Sequence, residues 1–383
     1  METSRAIVLT GFGSYDKLRV QEVPVNAPKD DQVRVKVEAC GLNFADLMMR
    51  QGIYKYSSKP PCVQGMECAG IVEAIGDHVT NLKVGQRVIC ATGRGAWSEH
   101  VVASASHVVP MPDGMSFEEG AAIPVNYGTA YLMLFRCAHL KEGQSVLIHM
   151  AAGGVGIAAT QLAKSVPNVT LFGTASASKH AVIKEYGIDY PIDYRTTDYE
   201  VEVRKISPDG VDIVLDPLAG KDFKKGFNLL RPLGVTVLFG AANLLQENKG
   251  YFNLAKQWFQ TTSFDPFQLM EKNRTVSGFL LSTLTTHPDT THAMKELVRL
   301  YNEGVVKPRV DSVFSFEEIG EAQKRMHDRL NVGKIILVPR KTKTEPSADA
   351  DAKTDEKPVE DGEKSNDGAT ENETKEEATA AAE

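Results

Sequence analysis

Residues 146–156, Val146-Leu147-Ile148-His149-Met150-Ala151-Ala152-Gly153-Gly154-Val155-Gly156, place an apolar strand directly ahead of a glycine cluster. Gly153, Gly154 and Gly156 let a backbone turn tightly and come close to a pyrophosphate with no Cβ in between. The following segment, with Ile157, Gln161, Leu162 and Ala163, is amphipathic. The turn therefore opens a helix whose free N–H groups and positive dipole end face the same anion. Strand, glycine turn and helix in that order predict a dinucleotide site, with Ala152, Gly153, Gly154 and Val155 against the phosphates.

The surrounding pattern supports this. From about residue 125 to 283, strand candidates Ser145–Met150, Val169–Gly173, Val211–Leu215, Val235–Gly240 and Thr275–Leu281 alternate with helical segments Val155–Ser165, Lys179–Tyr186, Tyr199–Ile206 and Phe223–Leu230. Such alternation makes βαβ units and a doubly wound parallel α/β sheet of the Rossmann type. Residues 5–110 instead read as short strands punctuated by Gly and Pro, including Gln32–Ala39, Ala69–Gly76 and Gln86–Cys90. Residues 288–339 add a helix, a strand around Asp311–Phe314, a second helix and a last strand Lys334–Val338.

Charge has to be divided before it informs. The net charge is −7, but residues 341–383 alone carry −8, leaving the rest at +1. A nearly neutral body with no basic stripe does not recommend nucleic acid as a partner. The tail past Pro339 has no aromatic or large aliphatic residue except Val359, so 340–383 is expected to be a disordered acidic tail. It has no EF-hand spacing for Ca²⁺. No apolar run approaches the roughly 18 residues of a membrane span. The N-terminus shows no signal pattern, and the expectation is a cytoplasmic protein. Five cysteines, Cys40, Cys62, Cys68, Cys90 and Cys137, with no CxxC pair, are expected to be reduced and mostly buried.

NAD enzymes place an acid about 20 residues past the glycines, on the ribose 2′-OH. Here that stretch is Phe172-Gly173-Thr174-Ala175-Ser176-Ala177-Ser178-Lys179, with no carboxylate. Gly173, Thr174, Ser176 and Lys179 are therefore assigned to the cofactor, and Ser176 with Lys179 favours the 2′-phosphate of NADP(H). Lys179 as an ordinary solvated helix residue is the alternative.

Cys40-Gly41-Leu42-Asn43-Phe44-Ala45-Asp46-Leu47, Arg50-Gln51-Gly52, Gly65-Met66-Glu67-Cys68-Ala69-Gly70 and the glycine turn resemble the medium-chain dehydrogenase/reductase superfamily, in its zinc-free quinone oxidoreductase branch. Leu9-Thr10-Gly11-Phe12-Gly13, His149-Met150-Ala151-Ala152, Phe172–Lys179 and Asn331-Val332-Gly333-Lys334 are similar to the synaptic vesicle membrane protein VAT family. The resemblance covers 5–339. It implies a GroES-like catalytic domain at 5–125 and 284–339, with the Rossmann domain at 126–283 inserted between them. It also implies a homodimer through the edge strand Thr275–Leu281. Zinc relatives carry Cys where Asn43 stands and His where Met66 stands; an amide and a thioether are poor Zn²⁺ ligands, so no metal is expected.

The resemblance places Asn43 beside the nicotinamide ribose and makes Tyr54 a candidate proton donor, with a packing tyrosine as the alternative. Thr129, Tyr194, Gly240 and Asn331 match positions lining the cofactor cleft. Tyr194 stacks near the adenine or merely follows a strand. Met150 departs from the glycine that relatives often carry. Asp46 and Arg50 read as a structural i, i+4 pair, and Glu67 as a domain-interface anchor.

Without a Lewis acid the acceptor must take hydride unaided, as quinones and activated enones do. The competing expectation is a non-enzymatic nucleotide-binding protein of vesicle or mitochondrial outer membranes. Tyr251, Phe252, Trp258, Phe259, Phe264 and Phe267 form an aromatic segment within 251–269 that suits a peripheral lipid contact, a lid or a dimer contact.

Overall fold

In the computed structural model, which describes residues 2–245 and 266–340, the apolar run ahead of the glycines is strand Ser145–Ile148 (β1), buried throughout. A strand buried on both faces belongs inside a covered parallel sheet. The sheet continues with Thr170–Ala175 (β2), Tyr190–Asp193 (β3), Val211–Asp216 (β4), Leu230–Leu238 (β5) and Thr275–Gly278 (β6). All pairings are parallel and the spatial order is 3-2-1-4-5-6. The order reverses between β1 and β4, where the crevice of a doubly wound sheet lies. Helices Gly154–Lys164 (α1), His180–Glu185 (α2), Tyr199–Ile206 (α3) and Lys221–Leu229 (α4) connect the strands.

Three differences from the sequence reading have local causes. β1 stops at Ile148 because Met150 has φ +53°, a left-handed backbone that cannot extend a strand. β3 was absent from the expected strands; it is four residues long and contains Pro191, which weakens its alternation signal. β5 begins five residues early, at Leu230. Its partner register shifts between Val211 and Ile213 and Leu233, at φ +66°, is extruded and 83% exposed.

The second sheet joins both ends of the described chain. Lys334–Val338 pairs antiparallel with Gln32–Leu42 (Ile335 opposite Leu42, Leu337 opposite Cys40) and parallel with Val310–Ser315. Gln32–Leu42 also pairs with Glu67–Ile75 and His100–Ser104, and Arg87–Ala91 and Val108–Pro110 follow. Trp97 is fully buried and donates its indole N–H to the Gly41 carbonyl at 3.1 Å. All five cysteines are free, and Cys40, Cys68 and Cys90 are buried. Burial pushes the Cys40 thiol well above its usual range, as a Cys90 contact and burial do for Cys68, so neither is a ready nucleophile.

Among the described residues no helix is long and apolar enough to cross a membrane. The acidic tail, and Tyr251 to Phe264 of the aromatic segment, lie outside the described residues.

Trp97→Ala should destabilise the chain by about 3–5 kcal/mol, since it opens a cavity and strips the Gly41 carbonyl of its donor. Urea unfolding should show a lower midpoint with an unchanged slope; a midpoint equal to that of the parent protein would contradict the packing described.

Candidate functional site

The glycine turn works by close packing as well as by openness. A Cβ on Gly156 would come within 2.5 Å of the Met150 carbonyl oxygen, and one on Gly154 would collide with the Asn126 amide. Gly153 has no such crowding, so its bareness is available to a ligand. Gly153 N–H donates to Met150 at 2.8 Å, closing the turn. Met150 occupies the left-handed position, which glycine adopts freely, at a cost of order 1 kcal/mol. α1 starts at this turn with no side chain capping its first N–H groups, leaving them for an anion. Thr174 Oγ1 accepts from Met150 N–H at 3.3 Å and bonds His149 Nδ1 at 3.1 Å, clamping the turn to β2. Burial pulls the His149 imidazole down to about 4, so it is neutral at physiological pH.

These groups open onto one cleft of about 1700 Å³. Ordinary small-ligand pockets occupy roughly 300–1,000 Å³, so there is room for a dinucleotide and a second molecule. Ala152, Gly153, Gly154, Val155, Thr129, Thr174 and Gly240 line it. Gly173 does not: it is buried in β2, where a Cβ would sit 2.9 Å from both Ala151 Cβ and Ile188 Cδ1. Its smallness serves packing of the turn.

One flank is cationic. Ser176 is buried, Tyr194 is 43% exposed, and both line the cleft with Lys179, Arg195, Arg329 and Asn331. The Lys179 ammonium donates to the Arg329 and Asn331 carbonyls at 2.7 and 2.8 Å, so it is a brace as well as a charge, not a solvated helix residue. Burial lowers its pKa; the Asp311 carboxylate opposes this, while the guanidiniums of Arg195, Arg325 and Arg329 push the same way as burial. Lys179, Arg195 and Arg329 together give this wall cations that suit a dianionic phosphate.

The opposite flank centres on a buried ion pair. Lys334 Nζ donates to Glu67 Oε1 at 2.5 Å and to Asn43 Oδ1 at 2.6 Å. Asn43 Nδ2 donates to Glu67 Oε1 at 2.8 Å, and Val125 N–H donates to Glu67 Oε2 at 2.7 Å. Asn43 sits at the N-cap of helix Phe44–Gln51, yet its side chain is diverted to this pair. Asp46 accepts the Asn43 N–H at 2.8 Å and has a second oxygen that is buried without a hydrogen-bond partner. Burial holds its carboxyl up at about 7, against the opposing Asn43 hydrogen bond. The expected Asp46–Arg50 pair does not form. Arg50 instead donates to Gln323 at 2.7 Å and to Gly13, and stacks over Tyr15 at 4.3 Å. Tyr54 lines the cleft with its Oη 2.8 Å from Ser282 Oγ.

Thus every expected site residue except Gly173 reaches the one cleft. Arg195, Arg329, His149, Ser282 and Lys334 were not anticipated as site residues. Only Arg195, the basic residue just past β3, carried a local signal, a cation beside the expected Tyr194.

Residues 29–113 match the alcohol dehydrogenase GroES-like domain family, and residues 186–337 match the zinc-binding dehydrogenase family. The synaptic vesicle membrane protein VAT-1 homolog of Danio rerio is 54% identical over 347 residues, spanning 90% of this chain and 72% of that protein. The crystal structure of human synaptic vesicle membrane protein VAT-1 homolog-like protein is 43% identical, with TM-score 0.79 over 89% of this chain and 100% of its own. Escherichia coli quinone oxidoreductase complexed with NADPH is 28% identical, with TM-score 0.78 over 88% of this chain and 100% of its own.

Lys334→Met should cost about 3–5 kcal/mol by leaving Glu67 charged and buried, and adding Glu67→Gln should recover part of that loss. A double-mutant unfolding cycle measures the coupling; a value near zero would dissolve the pair as a unit. Asp46 binds its proton more tightly folded (about 7) than unfolded (about 3.9). The stability this confers is present below about pH 4 and is lost as pH rises through about 7. Against Asp46→Asn, thermal melts should show the parent protein losing relative stability across that window; a trend of opposite sign would refute the buried neutral acid.

Proposed function

The chain belongs to the synaptic vesicle membrane protein VAT-1 family, within the medium-chain dehydrogenase/reductase superfamily of oxidoreductases, and we propose that it uses NADPH to reduce a quinone or an activated enone without zinc. The observation that carries the cofactor choice is the cationic flank: buried Ser176, the braced Lys179 and the neighbouring Arg195 and Arg329, with no carboxylate in the stretch from 172 to 179. The NADPH complex of the quinone oxidoreductase supports the same choice.

In this reading the uncapped start of α1 and the bare backbone of Gly153 hold the pyrophosphate, Ser176, Lys179 and Tyr194 receive the 2′-phosphate and adenosine, and Thr129, Gly240 and Asn331 complete the walls. Bound NADPH would supply a hydride. Asn43, its amide fixed by Glu67 and Lys334, borders the ribose. The same ammonium, 2.6 Å from Asn43 Oδ1, occupies with its charge the ground a metal would need, and Met66 offers only a thioether. Tyr54 lends a proton where the acceptor requires one. We assign 5–125 and 284–339 to the catalytic domain and 126–283 to the nucleotide domain, with a homodimer formed along the β6 edge. The vesicle names of the relatives support a cytoplasmic protein peripheral to vesicle membranes.

NADPH should raise the melting temperature more than equal NADH. Lys179→Ala should weaken NADPH about tenfold, one lost charge-assisted contact, with a smaller effect on NADH. NADPH oxidation with a small quinone should be measurable and unaffected by chelators. If NADPH binds tightly yet no quinone or enone accelerates its oxidation, the second reading stands, a nucleotide-binding vesicle protein without catalysis.

A further inference from the structure

Tyr54 and Ser282 reach each other from elements 228 residues apart, and their hydroxyl oxygens lie 2.8 Å apart on the wall of the cleft. The two ends of this contact are held differently. Ser282 sits in a short turn, Leu281–Thr283, two residues beyond the end of β6. That turn is fastened on both sides: Phe279 N–H donates to Leu238 at 2.9 Å, Thr283 Oγ1 to Leu280 at 2.8 Å, and Thr290 Oγ1 to Leu284 at 2.7 Å. Tyr54 stands instead on the loop beyond Gly52, whose φ of +74° ends helix Phe44–Gln51. Its ring meets Tyr56 edge-on at 6.1 Å, which limits ring rotation and leaves the hydroxyl direction to Ser282.

A serine hydroxyl has one donor and two acceptor sites, so it can accept from the phenol and, once the phenol has lost its proton, turn and donate to the phenolate. Burial raises the Tyr54 phenol above its usual range, nearby Asp46 and Tyr56 push the same way, and the Ser282 hydrogen bond opposes them.

Resting on the proposed NADPH-dependent reduction, we infer that Ser282 is the positioning residue for Tyr54, aiming the phenol at an enone substrate and accommodating the phenolate it becomes. Hydride adds to the enone β-carbon, and the C=C electron pair moves to make an enolate. The Tyr54 O–H bond breaks as the Cα–H bond forms, and Ser282 donates to the phenolate oxygen. Water then returns a proton to Tyr54. The sum is enone, NADPH and H⁺ giving saturated ketone and NADP⁺. A quinone differs at one step: its negative charge ends on oxygens that water protonates directly, so it has far less need of the phenol.

The test compares the full chain with Ser282→Ala, Ser282→Thr and Tyr54→Phe, using NADPH with 2-cyclohexenone or with 1,4-benzoquinone. Ser282→Ala should lower the enone-to-quinone turnover ratio by about tenfold or more, within the range of general-acid effects. It should act on kcat rather than KM and move the alkaline limb of the enone profile to higher pH. Ser282→Thr, which keeps the hydroxyl, should restore most of the ratio, and Tyr54→Phe should lower it at least as far as Ser282→Ala. Equal loss of both activities in Ser282→Ala, an unchanged ratio, or a Tyr54→Phe variant with the parent ratio overturns the inference. A parent protein that reduces the quinone but not the enone overturns it while leaving the proposed function intact. Turnover of neither acceptor overturns both.

Discussion

The carboxylate of Glu67 is fully buried, and a charge taken out of water must be met on every side or it unfolds what surrounds it. Three segments meet it: Lys334 from the last strand, Asn43 from the start of the first described α-helix, and Val125 from the entry to helix Asn126–Tyr131. Satisfying that one group therefore sets the relative places of the second sheet and the helix whose Asn126 packs against Gly154. The cleft lies among the parts so joined. Glu67 was read as an interface anchor; its three partners, Asn43, Val125 and Lys334, join distant parts of the chain but all fall within 5–125 and 284–339.

The nucleotide side depends on a different constraint, the distance of closest approach between backbones. Gly156 and Gly154 are small because Met150 and Asn126 stand where a side chain would go, while Gly173 is small because Ala151 and Ile188 do. Together they draw the turn onto the sheet so that α1 begins at the mouth of the crevice between β1 and β4. Thr174 and His149 then hold the turn from beneath with neutral hydrogen bonds.

How much of this could be read from residues alone divides along sequence distance. The strand, turn and helix around Gly153 were legible because periodicity and glycine spacing are local, and so were most strands to within a few residues. The Asp46–Arg50 pair was misread because spacing on a helix brings side chains near without deciding their partners. Gln323, 273 residues away, accepts from Arg50 instead. Lys334 and Ser282 gave no local signal, since their partners are 267 and 228 residues distant. Lys179 looked like an anion ligand, but its bonds to the 329 and 331 carbonyls, which make it a brace too, required the fold.

The pairing of Lys334 with Glu67 also bears on how the molecule is made. A ribosome delivers Glu67 long before Lys334, and the sheet lacks its strand Lys334–Val338 throughout that interval. Until Lys334 arrives the carboxylate has no ammonium beside it, and burying it charged would be costly. The six parallel strands between residues 145 and 278 are complete earlier. A chain cut short before the last strand would carry the nucleotide turn but lack Gly333 and Lys334 from the wall of the cleft.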